Sequence, residues 1–157
     1  MTPRPEFYHI HNGEQAVLPF SDSEYEARLA VLRASLEAQD CSVAILTSMH
    51  NIAYYCGFLY CAFGRPYALI VTAQTTVVIS AGIDAGQPWR RCYGDCLTYS
   101  DWQRDNFWRA VHHVIGLDQV IGYEADHLTM AQCAKLEVFL KPSRRVDLAA
   151  ATMRQRM

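Results

Sequence analysis

ALIVTAQTTVVIS, residues Ala68 to Ser80, contains two β-branched apolar runs, Ala68–Thr72 and Thr76–Ser80, with three residues between them. Such side chains pack well on a pleated surface, and two of these runs around a short polar break make a hairpin pattern. Working outward, Val43–Thr47 (VAILT) is a short apolar run that reads as a buried strand. Val120–Tyr123 and Arg145–Leu148 read as two more strands, and Leu97–Tyr99 as a further short one.

The intervening stretches carry helical signals. Ser21 can cap a first helix with Glu24 as its capping-box partner, and Phe20 and Tyr25 stand at hydrophobic-staple positions. Tyr25, Leu29, Leu32 and Leu36 then recur at helical spacing, leaving Arg28, Arg33 and Glu37 on the solvated side. His50–Tyr55 reads as a short helix closed by Gly57. Asp105 is placed to cap a helix running to Val114 or Ile115, with Gly116 after it. Thr129–Leu140 is a helix stopped by Pro142, and Ala149–Met157 has good helix propensity with no stop signal. Helices alternating with strands around one hairpin predict an α/β layered domain with a mixed β-sheet flanked by helices, the hairpin supplying its antiparallel part. The expected core includes Leu29, Leu32, Val43, Ile45, Ile70, Val78 and Val111, and the chain is expected to fold on its own.

The chain has 157 residues, half of them apolar, which suits one domain that buries about 70% of its unfolded surface. A net charge of −2, with no basic stripe, gives no footprint for nucleic acid. No apolar run approaches the ~20 residues a membrane span needs. Met1–Gly13 is polar and aromatic rather than a signal stretch, and these two features place the protein in the cytoplasm. The six cysteines then read as free thiols. Cys92 and Cys96 have zinc-ligand spacing, but no second pair accompanies them, and no metal is assigned.

Catalytic motifs are missing: the sequence has no G-x-S-x-G, Walker loop, G-x-G-x-x-G or H-E-x-x-H. His112 and His113 point about 100° apart on a helix and do not share a ligand. His50 can cap or line a loop, His9 and His11 lie in the irregular start, and His127 follows Asp126, which reads as a cap. Asp84, Asp101, Asp105 and Glu124 read as turn or cap carboxylates before catalytic ones.

The unusual stretch is Tyr54–Tyr67, YYCGFLYCAFGRPY, with six aromatics and a single charge, Arg65. One reading is a core-facing loop whose arginine makes a structural ion pair. The other is an aromatic wall presenting a guanidinium, whose fixed fork of donors suits a carboxylate. The residues alone leave these two open.

TSMHNIAYYCGFLYCAFGRPYALIVT (47–72), ISAGIDAGQPWRR (79–91), YSDWQRDNFWRA (99–110) and VDLAAATMRQRM (146–157) together resemble the creatinase family. The likeness runs from about Phe20 to Met157, leaving 1–19 as an irregular leading segment. The resemblance implies the family's small amino-terminal domain, residues 20–157, with ribonuclease H-like layering. The catalytic pita-bread domain is expected beyond this chain. It implies a hydrolase that converts creatine and water to sarcosine and urea as a homodimer, without cofactor or metal. In that family the small domain covers the partner subunit's active site, and a phenylalanine and an arginine of the F-G-R-P motif face the substrate. They match Phe63 and Arg65, with Arg65 on the substrate carboxylate and no catalytic residue in this chain. The 57–67 loop is therefore expected to be partly exposed in the isolated domain. The alternatives are an Xaa-Pro peptidase or ectoine hydrolase carrying the same domain, and a free-standing module for a small carboxylate.

Overall fold

The computed structural model describes residues 3–60 and 64–157. In chain order the elements are β1 (Phe7–Tyr8), α1 (Asp22–Glu37), β2 (Val43–Leu46), α2 (Met49–Cys56), β3 (Ala68–Thr72) and β4 (Thr76–Ala81). There follow a 3₁₀ turn (Gly82–Asp84), α3 (Gln87–Arg90), β5 (Asp95–Tyr99), α4 (Asn106–Ile115), β6 (Val120–Tyr123), α5 (Met130–Leu140), β7 (Arg144–Asp147) and α6 (Ala149–Arg156).

The seven strands make one sheet in the order β1-β5-β4-β3-β2-β6-β7. β3 and β4 pair as the expected antiparallel hairpin, with Leu69 facing Val78 and Ile70 facing Val77. β2 lies antiparallel to β3, while β4–β5, β2–β6 and β6–β7 are parallel. The sheet is therefore mixed, and helices flank it. β2 is buried at all four positions, as expected of a strand covered on both faces. The seven residues expected in the core are all exposed by 2% or less. Among the described residues no helix is long and apolar enough to cross a membrane.

Local chemistry explains where the elements begin and stop. The Glu24 N–H donates to Ser21 Oγ at 3.3 Å, and the Phe20 and Tyr25 rings meet edge to face with centroids 6.0 Å apart. The capping box is only half formed, because the Glu24 carboxylate accepts from Arg28 Nε at 2.9 Å instead of turning back. Gly57 closes α2 at φ 79, and a Cβ there would stand 2.6 Å from Tyr25 Oη. Thr129, not Asp126, caps α5, accepting from the Gln132 N–H at 3.2 Å. Asp105 stands at the start of α4 but does not cap it with its side chain. Its backbone is left-handed at φ 69, and its carboxylate takes the Lys135 ammonium instead.

α6 docks back on α1 and α2. Gln155 accepts from Tyr55 Oη at 2.6 Å and donates to the Arg28 carbonyl at 2.7 Å. Thr152 Oγ1 accepts from the buried Asn51 amide at 3.1 Å. Three elements escaped the sequence reading: β1, the 3₁₀ turn and α3. Each is only two to four residues long, too short to show a period.

Candidate functional site

Arg65 stands on the molecule's concave surface, which also has cavities it does not line. It lines three cavities, of about 460, 730 and 360 Å³. The first runs past Asp101, Arg104, Trp108 and Lys135, and the second past Leu59, Ile83, Asp84 and Arg91. The third reaches Thr47, His127 and Gln132.

The loop that carries Arg65 is anchored by aromatics. Tyr60 and Tyr67 stack at 4.5 Å between centroids with planes 19° apart, and Phe58 lies 6.1 Å from Tyr67. Tyr60 Oη donates to the Thr47 carbonyl at 2.6 Å, and Tyr99 Oη to the Pro66 carbonyl at 3.1 Å. Tyr67 Oη donates to the Asp84 carboxylate. Burial raises the pKa values of Tyr60, Tyr67 and Tyr99, and the carboxylates of Asp84 and Asp101 push Tyr67 and Tyr99 further the same way. All three phenols are therefore neutral donors at ordinary pH and cannot serve as bases.

The 57–67 loop, expected to be partly exposed, is divided: Leu59 and Gly64 are exposed, while its described aromatics turn inward. Phe58, Tyr60 and Tyr67 are buried in the domain's own core at 5–7% exposure. Among the described residues of this stretch, the hydrophobe left outside is Leu59, 68% exposed. Phe63 lies outside the described residues. α2 ends at Gly57, and Phe58, Tyr60 and Tyr67 join the core cluster that the strands build.

Arg65 itself stays at the rim. Gly64 precedes it at φ 78 with open space around its Cα, and Pro66 follows. The Arg65 guanidinium pairs with the Asp101 carboxylate, the two side chains being 39% and 36% exposed. The ion pair of the bland reading thus exists, but at the surface, where such a pair contributes only about 0–1 kcal/mol. Both partners remain open to a competing ion.

The other singled-out groups separate. Glu124 is 2% exposed and accepts from the Thr47 and Ser48 N–H groups, Ser48 Oγ and the Asn51 amide. It ties the end of β6 to the start of α2 and is fully occupied. His127 reaches the third cavity, its Nδ1 2.9 Å from Thr47 Oγ1. His112 and His113 are on the exposed side of α4. Cys92 and Cys96 are buried, with Cys92 against backbone carbonyls and Cys96 against Ser80 Oγ at 3.3 Å. Desolvation pushes the Cys96 thiol up to about 11 and Cys92 higher still, which opposes the thiolate that zinc requires. Asp101 as the partner of Arg65, and Lys135 as the partner of Asp105, had no local sequence signal.

A family model described as "Creatinase/Prolidase N-terminal domain" matches residues 28–157. A curated creatinase from Bacillus sp. (strain B-0618) is 39% identical over 153 residues. That match takes in 94% of this chain and 37% of the relative, so the chain spans little more than a third of it. Among solved structures, a proline dipeptidase from Streptococcus pneumoniae superposes with a TM-score of 0.74 at 20% identity, over 82% of this chain and 96% of that one. The creatinase/prolidase N-terminal domain of an X-Pro dipeptidase from Streptococcus pyogenes gives 0.72 at 19% identity, over 81% and 97%. These two likenesses concern the fold.

Proposed function

The chain belongs to the creatinase/prolidase N-terminal domain family, and we propose that it is the non-catalytic domain of a creatinase-like hydrolase, residues 20–157 after a leading segment 1–19. In this reading the full-length protein is a homodimer acting on creatine or a close analogue, with a reaction that uses no metal or cofactor. The domain covers the partner subunit's active site and contributes Arg65 to the substrate carboxylate. Phe63 enters beside it on the resemblance of the F-G-R-P motif. The five described cysteines, all free, agree with the cytoplasmic placement that belongs to the same reading.

The observation that carries the proposal is the position of Arg65. Arg65 lines three cavities, and its guanidinium is paired with a partly exposed carboxylate. An incoming carboxylate can replace Asp101 at small cost and accept both prongs of the fork. In this reading the domain brings a cation and shape to the site. The 39% identity to a creatinase over 153 residues supports a creatinase-like substrate.

The test is substrate affinity in the full-length protein. Arg65→Ala should weaken creatine binding by about 2–5 kcal/mol, roughly thirtyfold or more, with Arg65→Lys intermediate. Unchanged affinity per folded enzyme, together with a destabilised domain, would make Arg65 a structural residue and end the assignment. The names of the structural neighbours favour one other reading, an Xaa-Pro dipeptidase. Cleavage of an Xaa-Pro dipeptide by the full-length protein, with no urea released from creatine, would establish it instead.

A further inference from the structure

The segment ahead of α1 is not free of the sheet. β1 pairs antiparallel with β5, Phe7 facing Tyr99 and Tyr8 facing Thr98. Carried onward, this register sets His11 opposite Asp95, the first residue of β5. His9 and His11 are two apart, so in extended chain both project to the same face. His11 Nε2 lies 2.8 Å from Asp95 Oδ1, and His9 Nδ1 lies 3.9 Å from Asp95 Oδ2. The three ligand atoms all fall within 4.8 Å of one another.

We propose that His9, His11 and Asp95 form a surface site for a divalent transition-metal ion of the zinc class. Zinc bonds nitrogen and oxygen at about 2.0–2.1 Å, so tetrahedral ligand atoms stand about 3.3 Å apart. The observed separations straddle that value, and small rotations of exposed side chains close the set. Two imidazoles and one carboxylate select zinc, nickel or copper over magnesium and calcium, which require oxygen-rich shells.

Two of the ligands are already oriented. Asp95 Oδ1 accepts from the Cys96 N–H at 2.7 Å, and the His11 ring stacks on Trp89 with centroids 5.0 Å apart and planes 23° apart. Such outer contacts raise affinity by holding a ligand in its bonding direction. The ion replaces the hydrogen bond between His11 and Asp95, so His11 Nε2 must give up its proton or bind in the other tautomer. All three side chains are about half exposed, so the ion enters directly from solvent and water completes the coordination. Its effect is to clip residues 9–11 to the start of β5. An ion that binds only this arrangement stabilises it by RT ln(1 + c/Kd), with c the free ion concentration. None of the three ligands lines a cavity that Arg65 lines, and the site does not depend on the creatinase reading.

The experiment is a zinc titration of the tag-free chain at neutral pH, followed by calorimetry and by amide NMR. One ion should bind per chain with micromolar affinity, moving the signals of residues 9–12 and 95–96, and magnesium should not substitute. His9→Ala/His11→Ala should lower zinc affinity about tenfold or more, and so should Asp95→Asn. Both variants should melt as the parent does without zinc, since the altered side chains are exposed. His112→Ala/His113→Ala should bind zinc like the parent. Failure of the parent chain to bind zinc at hundred-micromolar concentration overturns the proposal. Undiminished binding by the double variant or by Asp95→Asn does the same, because the ion then sits on other ligands.

Discussion

The guanidinium of Arg65 and the carboxylate of Asp101 are joined across the rim between the β3 approach and the end of β5, and both remain more than a third exposed. Solvent screening at that exposure makes the pair weak. Its partners are nonetheless pre-positioned, so a stronger or better desolvated anion meets a guanidinium already extended.

The first prediction follows from that weakness. Arg65→Ala, Asp101→Ala and the double variant of this chain should each shift the urea midpoint little, with a coupling energy below about 1 kcal/mol. A coupling of several kcal/mol would mean that the pair holds the loop and is not free to exchange.

The second separates the buried from the exposed part of the same loop. Tyr60→Ala removes a ring stacked on Tyr67 and a hydroxyl that donates to the Thr47 carbonyl, and should destabilise the chain by about 3 kcal/mol or more. Leu59→Ala, one residue away but 68% exposed, should stay within about 0.5 kcal/mol. Equal effects would show that the two side chains do not occupy different environments. Denaturant melts of the two variants decide it.

Much of the architecture was legible because it is written in local periods. The β-branched runs at 68–72 and 76–80 gave the hairpin, and Tyr25, Leu29, Leu32 and Leu36 gave the buried face of α1. The rim was less legible. Arg65 stood out by composition, but Asp101 lies far along the chain and no pattern joins the two. The aromatics of 54–67 were ambiguous for a physical reason: a ring serves a core and an interface equally well. Only the folded structure assigns Phe58, Tyr60 and Tyr67 to the core. Glu124 looked like a turn carboxylate, and its partners at Thr47, Ser48 and Asn51 are distant in sequence. The β1 pairing that sets His11 against Asp95 rests on two residues, too few for any pattern to reveal.

The third prediction concerns alkaline pH. Desolvation holds the thiols of Cys96 and Cys56 neutral, raising them from 9.0 to about 11 and about 12. In the unfolded chain they lose their protons around the ordinary thiol value of 9.0. Between the two values the folded state binds more protons, so stability falls as pH rises. Their contribution is complete below about pH 9 and declines through about pH 11. The buried tyrosines, also raised by burial, extend the fall to higher pH. Urea midpoints taken across this range should decrease steadily, and Cys96→Ala should flatten the first part of the decline. A midpoint constant from pH 8 to about pH 10 would contradict the assigned burial.

The fourth prediction bears on Glu124, whose carboxylate is the acceptor for four donors at the junction of β2, α2 and β6. Ser48 caps α2, accepting from the Asn51 N–H at 3.3 Å, and its own hydroxyl donates to Glu124. Asn51 spans from Glu124 to Thr152, so the same network reaches α6. Removing the carboxylate leaves several buried donors without an acceptor, and each such orphan costs about 1–3 kcal/mol. Glu124→Ala should therefore destabilise the chain by about 3 kcal/mol or more, a large part of what a domain of this size has. Glu124→Gln keeps the shape but turns an amide NH₂ toward groups that are themselves donors, and should lose an intermediate amount. Asp126→Ala, two residues away and exposed, should change stability by no more than about 0.5 kcal/mol. The order to be found by urea unfolding is Ala below Gln below parent at position 124. A Glu124→Ala chain with the parent's midpoint would show that water satisfies these donors, and that the carboxylate does not hold the three elements together.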